Sequence, residues 1–144
     1  MRIYTIGFSK KSAEQFFGLL QNNNVTKLID VRLNTQSQLS GFAKGRDLAY
    51  FLKKICNIEY KHFPELAPSK ELLNDYRKKF ITWEEYVIIY NSLISKRNKL
   101  QSFQVEHFVN ACLLCSEATP EQCHRRLAAE FLAEFDSRLE IIHL

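Results

Sequence analysis

The sequence predicts an α/β fold: a single three-layer domain over residues 1–144, with about five mostly parallel strands flanked by helices and a helical insertion before the fourth strand. Three observations predict it. Apolar runs of four to six residues alternate with segments of helical period, the pattern of helices crossing over between parallel strands. The run "ACLLC" at 111–115 is continuously apolar between polar neighbours, which suits a central strand buried on both faces. The chain of 144 residues is 46% hydrophobic and 25% charged with no repeat or biased segment, which suits one core.

The elements follow in order. "RIYTI" is the first strand, closed by Gly7. Ser12 offers an N-cap to a helix whose buried face is Phe16, Phe17, Leu19 and Leu20, ended by an asparagine run. "KLIDV" is the second strand, and the aperiodic polar stretch 32–44 reads as a loop leaving its carboxyl end. Leu48, Phe51, Leu52 and Ile55 mark a helix, and "IEYKHF" is a strand stopped by Pro64. Helices over 71–80 and 83–95 form the insertion; the second carries Trp83, Tyr86, Val87, Tyr90, Leu93 and Ile94 at spacings of three and four. After "ACLLC", Thr119, Pro120 and Gln122 suggest an N-cap, a first-turn proline and a capping-box partner for a helix running to about Asp136. "LEIIHL" closes the sheet.

Composition excludes several classes. No run approaches the roughly 18 apolar residues of a membrane helix, and the opening "MRIYTIGFSKK" lacks the shape of a secretory signal, so a soluble, cytoplasmic protein with reduced thiols is expected. The four glycines form neither a dinucleotide fingerprint nor a phosphate loop. A net charge of +4 permits a phosphate-bearing partner without demanding one.

Ligands of open parallel sheets gather beyond the carboxyl ends of the strands. That edge carries Ser9 after the first strand, Asp30 and Arg32 after the second, His62 after the third, and Cys115 and Glu117 after the fourth. Asp30 and Arg32, two apart on a strand, share a face with Val31 opposed; they satisfy each other, or the aspartate orients an anion-binding arginine. Cys115 ends its strand against the following helix start and is the better candidate thiol. Cys123 has basic neighbours, yet with Leu127 and Phe131 it also continues an apolar face. His124 titrates near neutrality if unperturbed and suits an acid or base. Arg125 follows Glu121 by four residues, an ordinary ion-pair spacing, and is still the better ligand arginine; Arg126 pairs outward with Glu130. Zinc is disfavoured, because Cys115 and Cys123 are eight apart and helical neighbours such as Cys123 and His124 project about 100° apart. His107 and His143 are read as structural.

The residues now in place resemble those of a known family, the domain of unknown function 488. The matching pieces are "YTIGFS" at 4–9, "DVR" at 30–32, Ser37 and Phe42 in the loop, Tyr60 to Leu66, and "LLCSEATPEQCHRR" at 113–126. The family pattern usually has histidine where this chain has Phe8. The resemblance implies an α/β fold and a shared polar site that adds Ser37; it implies no reaction.

The functional expectation is a strand-end pocket for a small anionic ligand, phosphate-bearing or nucleotide-like. Arg32, Arg125, Ser9, Ser37 and His62 would bind it. In an enzyme, Cys115 or Cys123 would be nucleophile or redox thiol, His124 acid or base, and Glu117 and Asp30 orienting carboxylates. No cofactor is called for. The rivals are a nucleic-acid-binding module using Lys70, Arg77, Lys78, Lys79, Lys96, Arg97 and Lys99 of the insertion, and a thiol redox or zinc protein. Oligomeric state is not legible.

Overall fold

Among the described residues five strands pair in one sheet, and every pairing is parallel, in the spatial order β3-β2-β4-β1-β5. They are β1 (Arg2–Gly7), β2 (Lys27–Asp30), β3 (Glu59–His62), β4 (Ala111–Cys115) and β5 (Glu140–His143). The computed structural model describes residues 1–36 and 40–144. Parallel neighbours need crossovers, and α1 (Ala13–Asn22), α2 (Gly45–Phe51), α3 (Lys70–Arg77), α4 (Trp83–Gln101) and α5 (His124–Ala133) provide them. The α/β class and the helical insertion before β4 are as expected from sequence.

Alternation along the strands sorts the core into two halves. Tyr4, Ile6, Leu28, Cys112 and Leu114 face Phe16, Phe17 and Leu20 of α1 and Leu48 of α2. Ile3, Ile29, Ala111, Leu113 and Cys115 face Tyr86, Tyr90 and Ile94 of α4 and Leu127, Phe131 and Leu132 of α5. β4 is buried at every position, which is why its sequence is apolar without alternation.

Local signals fix most boundaries. Ser12 and Gln15 close a capping box on α1, and Thr82 and Glu85 close another on α4. α4 runs to Gln101, six residues beyond the expected end, because "KRNKLQ" contains no breaker and the chain stops only where Ser102 turns left-handed at φ 52°. Arg97, in that extension, donates to the carbonyls of Glu65 at 2.9 Å and Ala67 at 2.6 Å. The helix after β4 corrects the sequence reading: it begins at His124, with Cys123 as its extended N-cap, not at Thr119. Residues 116–122 are instead drawn into the strand-end edge, where Ser116 accepts from the Ser9 amide at 3.1 Å and the Glu117 carbonyl accepts from Arg125 at 2.6 Å.

Among the described residues no helix is long and apolar enough to cross a membrane.

Candidate functional site at the carboxyl edge of the sheet

The chain leaves β1 and β2 toward the α1 and α2 face but leaves β4 toward the α5 face. The connections therefore diverge at the carboxyl end of β4, the kind of switch point at which ligands of open α/β sheets gather. Two buried arginines stand there, one on each side of the sheet.

On the α2 side, Asp30 and Arg32 form a bidentate pair, Nε to Oδ1 at 2.9 Å and Nη2 to Oδ2 at 2.7 Å. Arg32 Nη2 also donates to the Ala43 carbonyl at 2.7 Å, and Tyr60 donates its hydroxyl to Asp30 Oδ2 at 2.7 Å. Burial and the Asp30 charge both hold the Tyr60 phenol above its ordinary value, so it stays a donor. The Arg32 guanidinium lies 5.3 Å from the centre of the Phe8 ring. Asp30 is 0% and Arg32 5% exposed, and Arg32 Nη1 has no hydrogen-bond partner among the described residues.

On the α5 side, Arg125 is fully buried. Its Nη1 donates to the Glu117 carbonyl and lies 3.3 Å from Cys115 Sγ and 3.7 Å from Cys123 Sγ. Its Nε reaches Thr5 Oγ1 at 3.4 Å, and that hydroxyl lies 2.7 Å from His143 Nδ1. Nη2 has no partner among the described residues. Burial lowers the guanidinium's hold on its proton, yet no carboxylate stands within ion-pair distance among the described residues. Cys115 and Cys123 are paired sulfur to sulfur, with Cα atoms 7.7 Å apart, against the sequence expectation of reduced thiols throughout; Cys56 and Cys112 are free.

Two imidazoles tie the halves together through consecutive carbonyls. His124 Nε2 lies 2.7 Å from the Val31 oxygen and His62 Nε2 lies 2.9 Å from the Arg32 oxygen. A carbonyl only accepts, so both Nε2 atoms carry a proton, and in neutral His124 the Nδ1 keeps its lone pair. Burial pushes His124 down to about 4. The folded protein therefore resists protonation there while the unfolded chain takes its proton near pH 6.5. The stabilising difference is complete above pH 6.5 and lost as pH falls toward 4, by about 2–3 kcal/mol. Urea titrations from pH 7 to 4.5 with a chelator present should show this slope in the wild type and a much flatter one in His124→Gln.

The residues expected to form the site thus divide. Asp30, Arg32, Cys115, Cys123, His124 and Arg125 gather at one edge, with His62 at its rim. Glu117 contributes its carbonyl and is otherwise an exposed residue. Ser9 uses its amide, and its residue lines a separate depression of ≈ 690 Å³ with Lys10, Lys11 and Ala118. Ser37 lies outside the described residues. Arg125 does not make the expected pair with Glu121, whereas Arg126 pairs with Glu130 at 3.3 Å. Sequence reasoning did not single out Thr5, although a threonine inside a buried strand signals a hydroxyl that needs a partner; its partner is His143, which was read as structural.

One ring nitrogen of His124 and the sulfurs of Cys115 and Cys123 lie within 4.8 Å of one another, a soft donor set able to hold a metal ion. The spacing argument against zinc assumed that Cys123 was helical; as an extended N-cap it can face the same point as His124.

No curated protein and no solved structure matches this chain. A family model does match, over residues 12–132, covering α1 to α5 and all of the edge except the β1 end and His143. The chain belongs to the family described as domain of unknown function DUF488.

Proposed function

We propose that the carboxyl edge binds a small anion, phosphate-bearing or nucleotide-like, between the two arginines. The observation that carries this reading is that Arg32 Nη1 and Arg125 Nη2 are buried donors without partners among the described residues. Buried donors are rarely left unmet, and an oxyanion is the ligand guanidinium nitrogens fit best. Lys11 supports it: burial and then the charge of Arg125 lower its pKa, so both cations act in one electropositive region.

The groups available for chemistry on such a ligand are the Cys115 and Cys123 sulfurs and neutral His124, which puts any catalysis in a thiol- or histidine-dependent class. Asp30 would orient Arg32, since both its oxygens are engaged by Arg32 and Tyr60. The nucleic-acid reading has less support, because Arg97, one of its seven basic residues, is committed to carbonyls of its own chain.

Titration of the protein with inorganic phosphate and with adenosine monophosphate, followed by NMR of the arginine Nε–H groups, tests the proposal. Saturable shifts at Arg32 and Arg125 that weaken with added salt are expected. Arginine signals unchanged across the series would overturn it.

A further inference from the structure

We propose that Cys115, Cys123 and His124 bind one divalent cation of the zinc class, leaving a coordination position open to an exogenous ligand. The proposal stands on donor geometry and does not depend on the anion reading. The three donor atoms come from the end of β4 and the first residues of α5, and converge within 4.8 Å. Cα atoms 7.7 Å apart lie beyond the roughly 4.4–6.8 Å over which disulfides usually form. That spacing lets the sulfurs swing apart to the ~3.7 Å required by two zinc–sulfur bonds of about 2.3 Å at a tetrahedral metal.

Two surrounding interactions favour a metal. His124 spends its Nε2 proton on the Val31 carbonyl, the arrangement by which metal-binding histidines are commonly oriented, and this leaves Nδ1 as the nitrogen with a lone pair. Arg125 donates toward both sulfurs and meets no carboxylate among the described residues, so its buried charge calls for anionic sulfur. Two thiolates would overcompensate that charge by one, and a divalent cation reverses the sign of the excess. No fourth His, Cys, Asp or Glu ligand joins the three among the described residues, the pattern of zinc sites that keep a position for water or substrate. Binding by the reduced protein releases the two thiol protons to solvent and changes the oxidation state of neither sulfur nor metal.

The test uses the full chain, purified under reductant and loaded with zinc or cobalt. Expected are one metal per chain, thiolate-to-cobalt charge transfer with intense tetrahedral d–d bands, and two sulfur neighbours at the zinc X-ray absorption edge. Cys115→Ser, Cys123→Ser and His124→Ala should each lose at least 100-fold in affinity, and Arg125→Met 10- to 100-fold. Cys56→Ser, a half-buried thiol outside the cluster, should retain it. The X-ray readout needs only wild type, so a variant that fails to fold leaves the test intact. Absence of bound metal in the reduced protein, fewer than two sulfur neighbours, or full affinity in Cys115→Ser overturns the proposal. Phosphate titration of metal-free and zinc-loaded protein separates the two readings: phosphate binding without metal binding sinks this one alone, and metal binding without phosphate binding sinks only the other.

Discussion

Asp30→Ala should destabilise the protein by about 3–5 kcal/mol, the range found when one partner of a buried ion pair is removed. Asp30 is 0% exposed and accepts from Arg32 through both oxygens, from the Arg32 amide at 3.1 Å and from Tyr60. Deleting the carboxylate leaves a guanidinium that is 5% exposed with only the Ala43 carbonyl, and strips the Tyr60 hydroxyl of its acceptor. Asp30→Asn keeps the shape but not the charge and should fall between alanine and wild type. The double variant Asp30→Ala/Arg32→Leu should recover part of the loss, because it removes the charge that was stranded. Urea unfolding of the four proteins checks this order. A loss under about 1 kcal/mol for Asp30→Ala would mean that the Arg32 charge is solvated, against the burial described.

The same pair shows how much of the site the sequence carried. Period-two alternation places Asp30 and Arg32 on one face with Val31 opposed, and the structure keeps that arrangement, Val31 lying in the core half under α5. The sheet and its crossovers were legible for the same reason: "ACLLC" has no alternation to give up, and β4 is buried throughout. Legibility failed where backbone groups serve tertiary partners. Thr119, Pro120 and Gln122 spell a helix start, but the carbonyls of Ser116 and Glu117 are claimed by Ser9 and Arg125 across the sheet, and the helix waits until His124. Spacing offered Arg125 an ordinary pair with Glu121 beside its ligand role; the pair does not form, because β1 offers Thr5 and β4 offers Cys115 as inward partners that a one-dimensional pattern cannot show. The pairing of Thr5 with His143 was hidden for the same reason, the two being 138 residues apart.

Gly7 is where strand and site are least able to yield, and Gly7→Ala should cost about 3 kcal/mol or more. The cause is contact. Gly7 has an ordinary negative φ, so no conformational preference is at stake. A Cβ there would overlap the Glu117 carbonyl oxygen and stand 2.7 Å from Arg125 Nη1. Neither neighbour can give: the oxygen is backbone, and the guanidinium is fixed by Glu117, Cys115 and Thr5. β1 cannot retreat either, because Gly7 is in register with Cys115 of β4. The segment after β4 must therefore move, which disturbs the Ser9–Ser116 hydrogen bond and the Arg125 contacts together. Gly18→Ala supplies the opposite sign in the same background. Gly18 lies within α1, and a methyl added there would meet nothing within 4 Å, so alanine should stabilise by about 0.5–1 kcal/mol through helix propensity and a restricted unfolded chain. Thermal unfolding should place the two variants on opposite sides of wild type. A Gly7→Ala protein as stable as wild type would mean that the Glu117 carbonyl does not close over β1, and the buried setting of Arg125 would fall with it.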